Sequence, residues 1–273
     1  MITRIKIKSD QWLFLPVLIR LPWGGCFLAW DDVMGTRIRQ CENFDQGEQS
    51  FLLQFLKPGM TVIDVGAHQG LYTLLASKKV GSEGHVIAFE PSPRELRRLR
   101  WNLFINRCRN VCVVPFAVGN SEGTAEFFVC LGKETGCNSL RPPVVPDPVK
   151  KIQVPVTTLD RYIEKFNVKH VDFIKIDAEG AELDVFKGGI KLLSNYSPLV
   201  LCEFADKRTE PWGYRSVDIY NFLTAHNYWL FSFTPEGKLR PCPRKEYFNE
   251  NLLAVSEKKL TLIASFMETE ANA

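Results

Sequence analysis

The sequence predicts an α/β fold with a doubly wound, mainly parallel sheet. Apolar, strand-like segments alternate with amphipathic helical segments from residue 60 to residue 226. The stretch TVIDVGAHQG (61–70) places two glycines after an apolar strand, which is typical of the ligand-binding turn in such sheets. The length of 273 residues and the apolar fraction of 45% suffice for one large domain.

The N-terminal residues depart from this alternation. Residues 11–40 predict a small β unit whose turn is Pro22-Trp23-Gly24-Gly25, so we assign residues 1–44 to an N-terminal β extension. The apolar run WLFLPVLI (12–19) is too short to span a bilayer. Any membrane contact there is therefore expected to be peripheral at most.

The main domain is assigned to residues 45–256, and residues 257–273 to a C-terminal tail. Its predicted strands are 60–65, 85–90, 111–118, 172–177 and 199–204; its predicted helices are 48–56, 70–79, 93–106, a segment carrying Leu183 and Phe186, and 216–226. Two late segments, 228–234 and 251–256, are interpreted as an antiparallel hairpin at the sheet's edge. Residues 119–160 predict an inserted hairpin with a long loop, which in compact domains is often a lid or a binding loop.

The glycine turn and the strand after it predict an adenosine site. Ligands of open α/β sheets bind at the carboxyl ends of the strands. Gly66 and Gly70 allow close approach of the backbone, and the helix that follows points its N-terminus at the same place. Glu90 ends the next strand, twenty residues past Gly70, where a carboxylate can accept both ribose hydroxyls.

The same turn argues against a dinucleotide. A pyrophosphate site favours G-x-G-x-x-G, but Ala67-His68 interrupts that pattern here. Asp64 would repel a pyrophosphate and suits a ligand with a cationic end. S-adenosylmethionine carries an ammonium and a sulfonium and no phosphate, so it is the predicted ligand; an NAD-dependent oxidoreductase is the alternative. We expect His68 to cap the helix or contact the ligand rather than to catalyse.

A second acidic cluster lies in FIKIDAEGAELDVF (173–186). Asp177 ends an apolar strand, Glu179 follows in the turn and Glu182 opens a helix. Like charges this close raise at least one pKa, and a carboxylate so adjusted can accept a proton from a substrate hydroxyl. Alternatively, the cluster holds a divalent cation through its oxygens, or Glu179 and Glu182 only favour the helix dipole. A metal is considered but not expected.

The composition narrows the range of partners and locations. A net charge of +3 is too small to indicate nucleic acid or a membrane as the main partner. The eight cysteines form no CxxC pair, which favours reduced thiols and a cytoplasmic protein. In the arginine-rich stretch 91–110 the leucines mark a buried face, so its arginines are interpreted as the solvated face of a helix.

Together, these motifs resemble a known family. The ordered segments PGMTVIDVGAHQGLYTLLAS, HVIAFEPSP, VPFAVGN, GCNSL, VPVTTLDRYIE and IKIDAEGAELDVFKGG are similar to the FkbM family of class I S-adenosylmethionine-dependent methyltransferases, over roughly residues 45–255. The resemblance implies a Rossmann-like, seven-stranded sheet with an antiparallel last strand. It also implies methyl transfer to a hydroxyl of a small-molecule or glycan acceptor, such as a sugar or a secondary metabolite.

The resemblance further implies roles for individual residues. The cofactor would be held by Asp64, Gly66, Ala67, His68, Gly70, Tyr72, Glu90, Pro91, Ser92, Phe116, Ala117 and Asp177. Asp177 and Glu179 would be catalytic and face the transferred methyl group. Apart from the resemblance, Asn138 and Ser139 of the long loop and Glu203 are candidate acceptor contacts, with a plain loop role as the alternative for Asn138 and Ser139. Family members often carry Asn at the position of His68. A non-catalytic binding protein that keeps the fold is the third hypothesis, although the intact carboxylates argue against it.

Overall fold

A computed structural model describes residues 4–8, 11–40, 45–243, 247 and 249–268. Its strands are β1 (Arg4–Lys8), β2 (Gln11–Phe14), β3 (Val17–Arg20), β4 (Cys26–Ala29), β5 (Thr61–Val65), β6 (His85–Phe89), β7 (Val111–Val114), β8 (Ala117–Val118), β9 (Gly123–Cys130), β10 (Val149–Thr157), β11 (Phe173–Ile176), β12 (Leu199–Phe204), β13 (Tyr228–Phe233), β14 (Leu239–Pro241) and β15 (Glu250–Ser256). Its α-helices are α1 (Val33–Arg39), α2 (Gln46–Phe55), α3 (Leu71–Val80), α4 (Pro93–Ile105), α5 (Leu159–Lys165), α6 (Glu182–Lys187), α7 (Ile190–Tyr196), α8 (Asp206–Thr209) and α9 (Ser216–Ala225). Shorter 3₁₀ segments span Thr135–Cys137, Glu210–Trp212 and Glu257–Phe266.

The central sheet has the order β14-β13-β15-β12-β11-β5-β6-β7. Strands β7, β6, β5, β11 and β12 run parallel, and β15 is antiparallel to both of its neighbours. The parallel α/β sheet predicted from the sequence is thus confirmed. Within the described residues the sheet has eight strands rather than seven, because the short β14 extends it beyond β13.

The two late strands, β13 and β15, pair antiparallel as expected. The prediction that they form a hairpin at the edge of the sheet is wrong. β15 inserts between β12 and β13, so it has a partner on each side. Its residues Leu252–Val255 are almost fully buried, which suits a strand inside a sheet better than one at an edge.

Side chains of alternate strand residues pack into two separate cores. On β5, Ile63 and Val65 join the core formed with α5, α6, α7 and α9. Val62 and, on β11, Phe173 face the opposite core beneath α2 and α3. The sheet is therefore covered on both faces, as the alternation of elements predicts.

The N-terminal region contains two hairpins, β1–β2 and β3–β4, and the helix α1. The helix was not predicted; Asp32 begins it by accepting a hydrogen bond from the N–H of Gly35 at 2.7 Å. The turn between β3 and β4 closes through Leu21 N–H and Gly25 C=O at 2.7 Å, where the sequence predicts it. The predicted domain boundary at residue 44 falls on residues outside the described part of the chain.

The inserted segment forms its own small sheet. β9 and β10 pair antiparallel along their length, and β8 runs parallel to β10. The expected hairpin is thus confirmed, although the predicted strand 111–118 divides at Pro115 into β7 and β8. The loop between β9 and β10 carries the 3₁₀ segment Thr135–Cys137.

The C-terminal residues up to 266 pack on the domain. The 3₁₀ segment Glu257–Phe266 buries Ile263, and the ring of Phe266 lies 4.9 Å from that of Phe51 on α2. The part of the predicted tail at 269–273 lies outside the described residues.

None of the described cysteines forms a disulfide; they are Cys26, Cys108, Cys112, Cys130, Cys137, Cys202 and Cys242. Cys41 lies outside the described residues. A search of the described helices found none that combines the length and the hydropathy needed to cross a bilayer.

Candidate active site

A cavity of about 750 Å³ opens at the carboxyl ends of the central strands. The predicted site residues that line it are Gly66, Ala67, His68, Tyr72, Glu90, Pro91, Phe116, Ala117, Asn138, Asp177, Glu179 and Glu203. Four others, Asp64, Gly70, Ser92 and Ser139, are not part of the wall. The structure thus gathers most residues of both sequence motifs around one space.

The glycine turn is fixed by its contact with the neighbouring strand end. Gly66 has φ +75°, and a Cβ there would lie 1.8 Å from the carbonyl oxygen of Asp177. The N–H groups of Gly66 and Ala67 both donate to the carbonyl of Phe89, at 3.1 and 2.9 Å. The turn therefore needs glycine because the second acidic motif crosses directly over it.

Glu90 lies at the end of β6 and is 4% exposed. Its two oxygens accept hydrogen bonds from the N–H of His68 at 2.7 Å and of Ser92 at 2.8 Å. Burial raises the pKa of Glu90 to about 8, despite these bonds. The carboxylate therefore both braces the glycine turn and faces the cavity.

Asp64 pairs with a lysine that the sequence analysis did not select. In the register of β5 and β11, Asp64 lies beside Lys175, whose Nζ is 4.0 Å from Oδ1 of Asp64. Thr73 of α3 donates to Oδ2 of Asp64 at 2.5 Å. Burial raises the pKa of Asp64, which lies beneath α3 and away from the cavity. Direct contact of this carboxylate with a ligand remains a prediction.

Lys175 also holds Asp177 in place. Its Nζ lies 3.0 Å from Oδ2 of Asp177 and 3.4 Å from the carbonyl of Gly66. Burial alone would lower the pKa of Lys175, but Asp177 and Asp64 raise it above its ordinary value. The result is a buried ammonium between two carboxylates, with the Asp177 side chain 37% exposed to the cavity.

The turn after Asp177 separates the remaining two carboxylates of the motif. Glu179, with φ +51°, turns toward Arg208, whose Nε lies 2.9 Å from its Oε2. Burial, together with the nearby charge of Asp177, raises the pKa of Glu179 to about 8. Glu182 instead folds back and accepts from the N–H groups of Ala178 and Gly180, at 2.8 and 3.2 Å. Glu182 therefore stabilises the turn and does not line the cavity.

Glu203, at the end of β12, completes a group of three carboxylates. One oxygen of each of Asp177, Glu179 and Glu203 lies within 4.8 Å of the others, a spacing that suits a divalent cation. Burial raises the pKa of Glu203 well above its ordinary value, and its Oε2 has no hydrogen-bond partner among the described residues. Lys175 pairs with Asp177, and Arg208 lies beside Glu179, so this group already contacts two protein cations. A further cation, such as a metal ion, suits the group less well for that reason.

The two predicted acceptor residues of the insertion loop have structural contacts. Oδ1 of Asn138 accepts from the N–H of Cys130 at 2.9 Å, although Asn138 does line the cavity. Ser139 is buried and donates to the carbonyl of Glu179 at 2.8 Å. Asn138 therefore holds the insertion loop to β9, and Ser139 ties this loop to the acidic turn.

His68 connects the glycine turn to two segments that cover it. Its Nδ1 lies 3.2 Å from Sδ of Met34 on α1, and its Nε2 lies 3.1 Å from Oγ1 of Thr135 in the insertion loop. Burial lowers the pKa of His68. A neutral imidazole is thus shared between the N-terminal helix and the loop, which both contribute to the cavity wall.

The charge of the wall is strongly unequal. Its carboxylates are Asp45, Glu48, Glu90, Glu134, Asp177, Glu179, Glu203 and Glu250, whereas its lysine and arginine side chains are Arg37, Lys175 and Arg208. Asp45 accepts from the hydroxyl of Tyr72 at 2.8 Å, and burial raises the pKa of Asp45. The cavity therefore favours a ligand with positive charge or with many hydroxyl donors over a polyanion.

The two cations beside the acidic motif, Lys175 and Arg208, had no assignment from the sequence. Lys175 could have been found, since a lysine inside the apolar strand FIKI needs a buried partner. Arg208 had no such signal, because it lies on the short helix α8, whose position depends on packing between distant segments.

The family model and the known proteins that match this chain are described as methyltransferases. A family model described as the methyltransferase FkbM domain matches residues 64–230. A curated relative, "Methyltransferase 1" of Beauveria bassiana, is 25% identical over 143 residues, which are 46% of this chain and 57% of that protein. An arsenite methyltransferase of Halobacterium salinarum is 38% identical over 56 residues, 20% of this chain and 14% of that protein. The matched part is thus a little over half of the fungal relative.

Two solved structures that resemble this chain are also described as methyltransferases. Methyltransferase FkbM from Methylobacillus flagellatus is 16% identical with a TM-score of 0.46, and covers 81% of this chain and 52% of its own. The O-methyltransferase from Bacillus cereus, solved in complex with SAH, is 15% identical with a TM-score of 0.47, and covers 78% of this chain and 80% of its own.

Proposed function

This chain belongs to the FkbM methyltransferase family, and from that premise we propose that it transfers a methyl group from S-adenosylmethionine to a hydroxyl oxygen of a polyhydroxylated small molecule or glycan. The observation that carries the proposal is the position of Asp177. Its carboxylate is held by Lys175 at 3.0 Å, beside the glycine turn, and it faces a cavity rich in acidic groups.

The residues around the glycine turn fit this cofactor. S-adenosylmethionine supplies an electrophilic methyl group on a cationic sulfur. Glu90 would hold the ribose, and Pro91, Phe116 and Ala117 would border the adenine; all four line the cavity. The excess of carboxylates suits the ammonium and sulfonium charges of this cofactor, since opposite charges attract strongly in a partly desolvated cavity.

Asp177 is the proposed base. An aliphatic hydroxyl must lose its proton as the new C–O bond forms, so a carboxylate within hydrogen-bond distance of that oxygen assists the reaction. Lys175 restricts the orientation of Asp177 and compensates its charge. Glu179 and Glu203, whose pKa values are raised by burial, would carry protons near neutral pH and donate hydrogen bonds to acceptor oxygens.

The outer wall supports a hydroxylated acceptor. Beyond the carboxylates, it contains the polar residues Gln46, Ser232, Thr234, Asn249 and Asn251 from α2, β13 and the region of β15. Such a wall can hydrogen-bond several hydroxyl groups while positioning one of them near Asp177, and positioning supplies much of the rate of a displacement reaction.

The two alternatives fit the structure less well. A nicotinamide dinucleotide would bring a pyrophosphate against a wall in which acidic side chains outnumber lysines and arginines by eight to three. A non-catalytic protein would have no need of a buried lysine that keeps a solvent-facing aspartate in one orientation, because such an arrangement is costly to desolvate.

The test is methyl transfer by the full chain with S-adenosylmethionine and a panel of sugars, glycosides and hydroxylated natural products. We expect Asp177→Asn to lower turnover about 10²–10⁴-fold on the acceptor found. The control is Asp184→Asn on α6, which removes a carboxylate that does not line the cavity. Full turnover by Asp177→Asn with unchanged affinity for S-adenosylhomocysteine would overturn the proposed base.

A further inference from the structure

The outer face of α4 exposes aromatic rings to solvent. Trp101 is 50% exposed and Phe104 is 73% exposed, with their rings edge to face and their centroids 5.9 Å apart. Pro93, Arg97 and Arg100 lie on the same face of the helix and form a shallow groove with the two rings. None of these five residues lines the candidate active site.

A neighbouring hairpin adds an apolar side chain. Asn102 and Asn106 of α4 accept hydrogen bonds from the N–H groups of Leu28 and Cys26 on β4, at 2.8 and 2.9 Å. The register of the hairpin places Leu18 of β3 opposite Leu28, and Leu18 is 59% exposed. The exposed leucine and the exposed aromatic pair therefore belong to adjoining, hydrogen-bonded elements.

Positive charge is concentrated in the same region. Residues 93–118 contain six arginines and one glutamate, a net charge of +5, whereas the whole chain carries +3. Arg94 and Arg98 pair with Glu95, but Arg97, Arg100, Arg107 and Arg109 are exposed. Among the described residues, no acidic side chain forms an ion pair with these four.

From this placement we infer that the outer face of α4 docks the protein on an anionic phospholipid membrane. Trp and Phe side chains partition into the interface between headgroups and acyl chains, and arginines beside them attract anionic headgroups. The docking is peripheral, since an exposed face of one 13-residue helix inserts only its side chains.

Nucleic acid is the competing partner for arginine next to aromatic rings. Single-stranded chains are bound along a groove in which bases stack on successive ring faces. Here the edge of one ring meets the face of the other at 86°, so the pair presents no continuous stacking platform. The aliphatic Leu18 nearby also suits acyl chains better than bases.

The experiment is co-sedimentation of the full chain with vesicles of phosphatidylcholine alone and of equal parts phosphatidylcholine and phosphatidylglycerol. We expect binding to the anionic vesicles only. Trp101→Ala with Phe104→Ala should abolish it, and Arg97→Gln with Arg100→Gln should weaken it about 25-fold, since each arginine contributes about fivefold.

Matched controls change equally exposed residues elsewhere. Trp229→Ala removes a tryptophan that is 56% exposed on β13, and Lys187→Gln with Lys191→Gln removes two exposed charges around α6 and α7. Both should bind anionic vesicles like the unaltered protein. Absence of vesicle binding, equal binding to neutral vesicles, or equal loss in the controls would overturn the inference. So would binding of a labelled single-stranded oligonucleotide, but not of vesicles, that the α4 substitutions abolish.

Discussion

Nζ of Lys175 lies 3.0 Å from Oδ2 of Asp177, at the point where β11 ends and the cavity begins. The same ammonium lies 4.0 Å from Asp64 on the neighbouring strand. Its side chain is only 9% exposed, so the two carboxylates rather than water compensate its charge. A single lysine thereby links the buried end of the glycine-turn strand to the proposed catalytic carboxylate.

Replacing Lys175 should therefore be strongly destabilising. Lys175→Met leaves the buried Asp64 without its cation, and loss of one partner from a buried ion pair costs about 3–5 kcal/mol. The measurement is the free energy of unfolding in urea. Lys187→Met, which breaks a 3.9 Å pair with Asp184 on the surface, should change it by less than about 1 kcal/mol.

A second substitution distinguishes charge from packing in this experiment. Lys175→Met combined with Asp64→Asn removes the uncompensated charge, so the double variant should recover part of the lost stability. If the double variant is no more stable than Lys175→Met alone, the ammonium stabilises the fold through its packing and the assignment of charge compensation is wrong.

The crossing of the two turns gives a second prediction. Gly66→Ala places a Cβ against the carbonyl of Asp177, whereas Gly59, with φ +87°, has open space around its Cβ position. Gly59→Ala should cost about 1–2 kcal/mol, the penalty of a left-handed backbone conformation. Gly66→Ala should cost about 1–3 kcal/mol more, because of overpacking. Equal unfolding free energies for the two variants would contradict the close approach.

Much of the fold was predictable because each local signal agreed with the tertiary structure. The apolar strand that ends at Val65 and the helix with Leu71, Leu74 and Leu75 on its buried side lie within a residue of their predicted bounds. The helix α1 and the strand β14 were missed, since both are short and depend on packing for their stability.

Site residues that follow directly after strands could be predicted from the sequence. Side-chain pairs that depend on how two strands are aligned could not. The glycine turn, Glu90 and Asp177 follow strands, and parallel strands end at one edge. The assignment of Asp64 to the ligand stays a prediction; its side chain points to the face of Val62, under α3. Its partner Lys175 is set by the alignment of β5 with β11, which sequence spacing alone does not contain.

The buried glutamates predict how stability depends on pH. Burial raises the pKa of Glu90 and of Glu179 from 4.5 to about 8. Between about pH 4.5 and pH 8, the folded protein retains protons on these two side chains that the unfolded chain has released. The stability that the two protonated side chains contribute is therefore lost as pH rises toward 8. Burial lowers the pKa of His68, and this makes stability rise with pH, but only below the ordinary histidine pKa of 6.5.

The cofactor-free protein should therefore be less stable at pH 8 than at pH 6.5. Urea unfolding at the two values should show a difference of about 1–4 kcal/mol, because one protonated group contributes at most about 1.4 kcal/mol per pH unit. The double variant Glu90→Gln, Glu179→Gln should reduce this difference without abolishing it, because burial also raises the pKa values of Glu182 and Glu203. Glu83→Gln, at an exposed position, should retain the full difference. Stability that rises from pH 6.5 to 8 would contradict the raised pKa values.

Glu90 also predicts the pH dependence of cofactor binding. Ribose hydroxyls donate hydrogen bonds to an ionised carboxylate, so ligand binding favours the ionised form of a group whose pKa is about 8 in the free protein. At pH 7 binding should therefore release a proton, and the affinity for S-adenosylhomocysteine should rise between pH 6 and pH 8, by about tenfold per pH unit at most. Calorimetry in buffers with different ionisation enthalpies measures both quantities.

The variant Glu90→Gln assigns this effect to one residue. Both oxygens of Glu90 accept from backbone N–H groups, so an amide turns its NH₂ toward a donor and loses one of the two bonds. Its affinity for S-adenosylhomocysteine should fall about 10–100-fold, because the ribose hydroxyls lose a charged acceptor and a hydrogen bond to a charged group contributes about 1.5–3 kcal/mol. The rise of affinity with pH should also diminish, whereas Glu83→Gln should keep both properties. If the pH dependence survives unchanged in Glu90→Gln, the proton comes from another carboxylate of the wall and Glu90 does not hold the ribose.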